Sequence, residues 1–300
     1  MLERSFAHEE LRALKWRLPL NDDFENYLSR LERGFHGENE FSKKLAAYNE
    51  YAHVYDFTFE IDGSTRQIDA LLLFNNECVL FEVKNYIGDF IYKNDEFYTY
   101  HTMQKISSPI RQLDDTAEKF SAFLYRLGIR CSVRKCVVFI NEEFHLYQAP
   151  DHRSIITRPQ LRRALNQLTR HQRPANSATL ELRDTLLKLN IKDTRPAKVL
   201  YQYEDLKKGL FCYSDGAVLE NYNRVTLICP TCGNKTSIKD AVLQSAQDFN
   251  TLFPREKLTI PALYDFSGGL LSKYNLRKAL SEACKRHSQA RGTYYTFPKR

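Results

Sequence analysis

Apolar positions in this chain repeat with two periods, and the switches between them mark out its elements. Up to residue 33, Leu11, Leu14, Leu18, Leu28 and Leu31 stand among alternating acids and bases, with a break at Leu18-Pro19-Leu20-Asn21-Asp22-Asp23. The pattern predicts a broken helical extension over residues 1–31. Gly34 and Gly37 then precede Glu40-Phe41-Ser42-Lys43-Lys44-Leu45-Ala46-Ala47-Tyr48, a helical composition, so a helix is expected to start there, with Glu38 in its first turn. Beyond about residue 50 the period falls to two. Residues 54–61 read as a strand, Asp62-Gly63-Ser64 as a turn, and the apolar runs 67–74 and 78–85 flank Asn75-Asn76. Asn tolerates a positive φ, so the two runs read as a β-hairpin. A further strand is expected near 90–100 and another over 136–140, and Ser108-Pro109 supplies an N-cap and first-turn proline for a helix to about residue 127. This mixed order predicts an α/β fold with a partly antiparallel central sheet flanked by helices.

In the second half, residues 158–169 and 178–190 have helical spacing on either side of Arg173-Pro174-Ala175-Asn176-Ser177, and Thr194-Arg195-Pro196 reads as a boundary. Helices are also expected over 238–249 and 273–287, the latter basic through Lys273, Arg277, Lys278, Lys285 and Arg286. The resulting division is an extension at 1–31, an α/β domain at 32–150, a basic helical bridge at 151–195, and a smaller ribbon-and-helix accessory domain at 196–300. No apolar run approaches a membrane span and Met1-Leu2-Glu3-Arg4 opens no signal-peptide pattern, so cytoplasmic residence and no membrane partner are expected. Seven cysteines, irregularly spaced, suit reduced thiols better than a disulfide framework.

Charge changes this picture most inside the hairpin. If Asn75 and Asn76 are its central residues, positions whose numbers sum to 151 face one another, which sets Asp69 opposite Glu82. Lys84 lies two residues on, and alternate strand residues share a face, so the three side chains converge. Buried charge needs a partner. A Lys84–carboxylate pair is the structural explanation, but it leaves the second acid repelling the first, and a divalent cation between them resolves this. Oxygen-only ligation by two carboxylates suits Mg²⁺. Read alone, Glu38 is equally an acid favoured by a helix dipole, and Gln112 a solvated residue on a helix's opening turn.

Asp69 followed by Glu82-Val83-Lys84 resembles the Asp…Glu-x-Lys core of the PD-(D/E)xK nucleases. Gly34-Phe35-His36-Gly37-Glu38, Gln67-Ile68-Asp69, Phe81-Glu82-Val83-Lys84-Asn85 with Gly88, and Pro109-Ile110-Arg111-Gln112 together resemble the nuclease-related domain, NERD, over about residues 32–145. The resemblance implies a restriction-endonuclease-like core in which Asp69 and Glu82 hold Mg²⁺ or Mn²⁺. It also implies that Lys84 orients the attacking water or steadies the phosphate, that Glu38 sits near the metal, and that Gln112 contacts the scissile phosphate or water.

A second motif lies downstream. Cys229-Pro230-Thr231-Cys232-Gly233 is similar to a zinc-ribbon knuckle, in which two thiolates two residues apart reach one tetrahedral Zn²⁺ and Gly permits the return. Cys212-Tyr213-Ser214-Asp215 stands where a first knuckle belongs, with Asp215 in place of its second cysteine. Asp215 could ligate zinc, Cys284 or His287 could complete the set, or the ribbon keeps its shape without metal. Residues 1–150 carry 18 Lys and Arg against 24 Asp and Glu, whereas 151–300 carry 26 against 13, so the chain's +7 comes from its second half. Arg153, Arg158, Arg162, Arg163, Arg170 and Arg173 concentrate that charge, which suits polyanion contact. The expected function is a metal-dependent nuclease hydrolysing nucleic acid, DNA before RNA, by a Mg²⁺-activated water. The alternative is a nucleic-acid-binding or signalling module that keeps the nuclease fold without turnover.

Overall fold

The computed structural model describes residues 2–150, 154–192, 195–289 and 292–298; Arg153 and Thr194 lie outside them. The chain divides into two compact units, Met1–Arg4 with Arg30–Asp193, and Ser5–Ser29 with Thr194–Arg300. Helices α1 (Phe6–Leu14) and α2 (Asp22–Leu45) come first, and Arg30 onward of α2 belongs to the first unit. There follow β1 (Ala52–Ile61), β2 (Ser64–Leu73), β3 (Glu77–Lys84), β4 (Gly88–Lys93), β5 (Glu96–Thr99) and β6 (Lys105–Ile106). The first unit continues through α3 (Pro109–Arg126), β7 (Ser132–Phe139), β8 (Phe144–Tyr147), β9 (Ile155–Thr157), α4 (Leu161–Thr169) and α5 (Ser177–Leu189).

The central sheet has the order β1-β2-β3-β7-β9, antiparallel from β1 to β3 and parallel from β3 to β9. Its alternation sorts side chains onto two faces. Leu71, Leu80, Val137 and Phe139 meet Leu113, Phe120 and Leu124 of α3 on one face. Leu72, Phe81 and Val138 meet Phe41 and Leu45 of α2 and Leu161, Leu165 and Leu168 of α4 on the other. Each such fully buried side chain contributes roughly 1.5–3 kcal/mol, so both faces of the sheet are held by packing. The hairpin register is the one its turn implies, with Ala70 opposite Phe81 and Leu73 opposite Cys78. Asp62 and Gly63, at φ 51° and 69°, make the tight turn between β1 and β2.

Several expected elements have other bounds in the structure. The helix anticipated around Gly34 and Gly37 begins much earlier, at Asp22, with Asp22, Asp23 and Glu25 in its first turn, so Glu38 lies in the interior of α2. The expected strand near 90–100 is instead the pair β4 and β5, turned at Asn94 and Asp95, both with positive φ. The leucines of α4 pack under the sheet and Leu186 of α5 joins its other face, and both helices lie in the first unit.

The second unit holds α1, the small antiparallel sheet β10 (Glu220–Asn221), β11 (Thr226–Ile228) and β12 (Lys235–Ser237), and the helices α6 (Ile238–Leu252), α7 (Ile260–Phe266) and α8 (Lys273–Ala283). The helix expected to reach residue 287 ends at Ala283; β13 (Lys285–Gln289) then pairs with β14 (Gly292–Thr296), where His287 stacks on Tyr294 at 4.7 Å. Cross-strand pairing outweighs helical spacing there. Among the described residues no helix is long and apolar enough to cross a membrane.

Candidate functional site

The β2–β3 ladder runs as far as Ala70 and Phe81, and Asp69 and Glu82 are the next residues of their strands. At that point a side chain takes over from the backbone: Asp69 Oδ2 accepts from the Val83 N–H at 2.6 Å. Glu82 is 3% exposed, and Lys84 Nζ donates to its Oε1 at 2.6 Å. The same ammonium donates to Gln112 Oε1 at 3.1 Å. Gln112 is exposed and lies on the opening turn of α3, which Ser108 caps by accepting from the Arg111 N–H. The lysine therefore spans from a buried acid to the solvent edge.

Helix α2 delivers Glu38 because Gly37 lets it approach the sheet's end. A β-carbon at Gly37 would stand 2.7 Å from Asn85 Cβ and 3.1 Å from Ile140 Cγ2. Asn85 holds the contact, donating to the Arg33 carbonyl at 2.9 Å and accepting from Asn141 at 2.8 Å. Burial first, then the charges of Asp56 and Glu82, push the Glu38 carboxyl up to about 7, against the opposing pull of Lys84. Asp69 is raised well above the usual range by burial, Glu82 and Glu38, against its bond from Val83. For Lys84, burial alone would lower the pKa, but Glu82 and Asp69 outweigh it and hold the ammonium charged. The five residues Glu38, Asp69, Glu82, Lys84 and Gln112 thus form one interacting group.

Sequence reasoning passed over Asp56. It lies across from Asp69, but the ladder skips this pair between Tyr55–Ala70 and Phe57–Ile68, and Asp56 has φ 52°. The kink reverses the strand's faces, since Ala52 and Val54 share a core with Phe57, Phe59 and Ile61. Gln67 Nε2 donates to the Asp56 carboxylate at 2.6 Å, and Asn190 donates to its carbonyl at 3.1 Å while accepting from the Thr58 N–H. The signal was present in the sequence as a one-residue slip in alternation between Val54 and Phe57.

Four acids crowd one lysine, and the burial and repulsion that raise Glu38 and Asp69 are what a bound cation would relieve; the donors are all oxygen. This donor set fits Mg²⁺ or Mn²⁺ and does not suit a thiophilic metal. A mixed α/β sheet carrying Asp69, Glu82 and Lys84 where the β2–β3 ladder ends is consistent with a nuclease-like fold. Residues 33–140 match the family model of the nuclease-related domain, NERD, and this segment of the chain is such a domain. No curated protein and no solved structure matches the chain.

In the second unit, Cys212, Asp215, Cys229 and Cys232 bring their ligand atoms within 4.8 Å of one another. Cys284 and His287 are not part of this cluster. Cys212 and Cys229 are buried, Asp215 is half-buried and Cys232 is exposed.

Proposed function

We propose that the first unit is a divalent-metal-dependent phosphodiesterase acting on nucleic acid, DNA before RNA. The observation that carries this reading is the Lys84 ammonium, bonded to buried Glu82 and to exposed Gln112 beside the half-buried Asp69. Asp69 and Glu82 would hold Mg²⁺ or Mn²⁺, with Glu38 beside them; such an ion, when bound, would lower the pKa of a water and offset charge on phosphorus. Lys84 serves as a fixed donor for that water or for a non-bridging phosphate oxygen, and its pairing with Glu82 keeps it charged and aimed. Gln112 can present its amide N–H to the phosphate while its carbonyl oxygen accepts from Lys84. The exposed Arg162, Arg163 and Arg170 of α4 and its C-terminal end belong to the same unit and suit binding to a phosphate backbone. We further propose that Cys212, Cys229 and Cys232 hold a structural zinc ion in the second unit.

The test is cleavage of a labelled panel of duplex, branched and single-stranded DNA and RNA, with Mg²⁺ or with chelator. Product is expected only with the metal, and Lys84→Ala and Asp69→Ala should each slow cutting about a hundredfold or more, with the far-UV spectrum preserved. Variants that cut at the wild-type rate would overturn the assignment. The basic second half favours one rival, a binding module without turnover. That protein would retain DNA with a steep salt dependence, equally with and without Mg²⁺, and yield no product.

A further inference from the structure

Two turns in the second unit are built to one plan. In Cys229-Pro230-Thr231-Cys232-Gly233 the Gly233 N–H donates to the Cys229 carbonyl at 3.0 Å, the Cys229 N–H donates to the Asn234 carbonyl at 2.9 Å, and Gly233 has φ 73°. In Cys212-Tyr213-Ser214-Asp215-Gly216 the Gly216 N–H donates to the Cys212 carbonyl at 2.8 Å, the Cys212 N–H donates to the Ala217 carbonyl at 2.8 Å, and Gly216 has φ 77°. Each bond of one turn therefore has its counterpart in the other. The equivalence aligns Asp215 with Cys232, the second ligand of its knuckle.

We infer that Asp215 is the fourth ligand of the zinc ion, completing a site of three thiolates and one carboxylate; the inference rests on the zinc reading above. Three observations support it beyond the turn geometry. Cys229 Sγ lies 3.4 and 3.3 Å from the two oxygens of Asp215, and Cys212 Sγ lies 3.6 Å from Cys232 Sγ, so the donors face a common centre. The Asp215 carboxylate is held by the Ala217 N–H, which donates to Oδ1 at 3.0 Å, while both carboxylate oxygens lie close to Cys229 Sγ. Asp215 is also the one oxygen donor in the cluster, and zinc accepts Asp beside Cys. A β-carbon on Gly216 would lie 2.2 Å from the Trp16 ring, so that ring closes the turn from behind.

Replacing a thiolate by a carboxylate keeps the ligand charge but substitutes a harder donor for a soft one, so the ion is held less tightly than by four cysteines. The half-buried Asp215 and exposed Cys232 also leave it accessible from solvent, while Cys212 and Cys229 anchor it from within. The expected result is a zinc that is stoichiometric yet exchangeable.

The experiment compares full-length wild type with Asp215→Ala and Asp215→Cys. It measures zinc content by atomic emission, zinc affinity by competition with a chromophoric chelator, and the absorption spectrum of the cobalt(II)-substituted protein. Wild type should carry one zinc per chain. Asp215→Ala should bind at least about tenfold more weakly, the lower bound set by what loss of an outer-shell partner alone costs. Asp215→Cys should bind more tightly, with thiolate-to-cobalt charge transfer rising as a fourth sulfur joins three. Absence of stoichiometric metal from wild type would remove the zinc reading itself. Stoichiometric metal with unchanged affinity in Asp215→Ala, and no added charge transfer in Asp215→Cys, would keep zinc and overturn Asp215 as its ligand.

Discussion

The Glu38 carboxyl ionises at 4.5 in an unstructured chain and at about 7 in the fold, so folding favours its protonated form. Its stabilising contribution is complete below the unfolded value and is lost as pH rises through the folded one. Asp69, raised by the same burial and by its acidic neighbours, acts in the same direction. Thermal midpoints of the metal-free protein should therefore fall between about pH 5 and pH 8, and Glu38→Gln, which keeps the shape without the charge, should flatten that fall. Equal slopes for the two proteins would contradict the shift. At this scale the hairpin's charges were legible in the sequence, because a two-residue turn fixes the register and alternation fixes the face, both within about twenty residues. Asp56 was not, because its place depends on a pairing with β2 and on a positive φ that only the folded strand displays.

Elements carry the next layer. The long run of α2 through Gly34 and Gly37 contradicts the ordinary association of glycine with a helix end, and packing supplies the reason: Gly37 admits Asn85 and Ile140 at distances no side chain could share. Gly37→Ala should therefore destabilise the protein by about 1–3 kcal/mol through overpacking, despite alanine's better helix propensity, as read from chemical denaturation. A stabilised variant would show that the helix sits farther from the sheet than described. Leu80→Ala, at the centre of the same sheet, should cost about 2–5 kcal/mol. The sequence conveyed the strands and the capped start of α3 well, since alternation and Ser108-Pro109 are local signals. It conveyed α2, the β4–β5 turn and β13 poorly, because each is decided by packing against residues distant in the chain.

For the whole molecule, basic residues concentrate in the second half of the chain, and α4 combines that charge with a packing role. Its leucines hold up the sheet, its arginines face outward, and Arg158 just before it is committed to Glu40 at 2.7 Å and Glu142 at 3.2 Å. Replacing Arg162, Arg163 and Arg170 together with alanine should weaken DNA binding and lower the salt slope by about 0.9 for each phosphate no longer neutralised, with little change in stability. An unchanged slope would mean that the DNA backbone is held by other residues.

The central claim is that Asp69 and Glu82 hold a divalent ion beside Lys84, and Mn²⁺ binding followed by calorimetry or paramagnetic resonance addresses it most directly. Wild-type protein should bind one more Mn²⁺ per chain than Asp69→Ala or Glu82→Ala, with all three equally folded. Equal Mn²⁺ binding by wild type and both variants would contradict it.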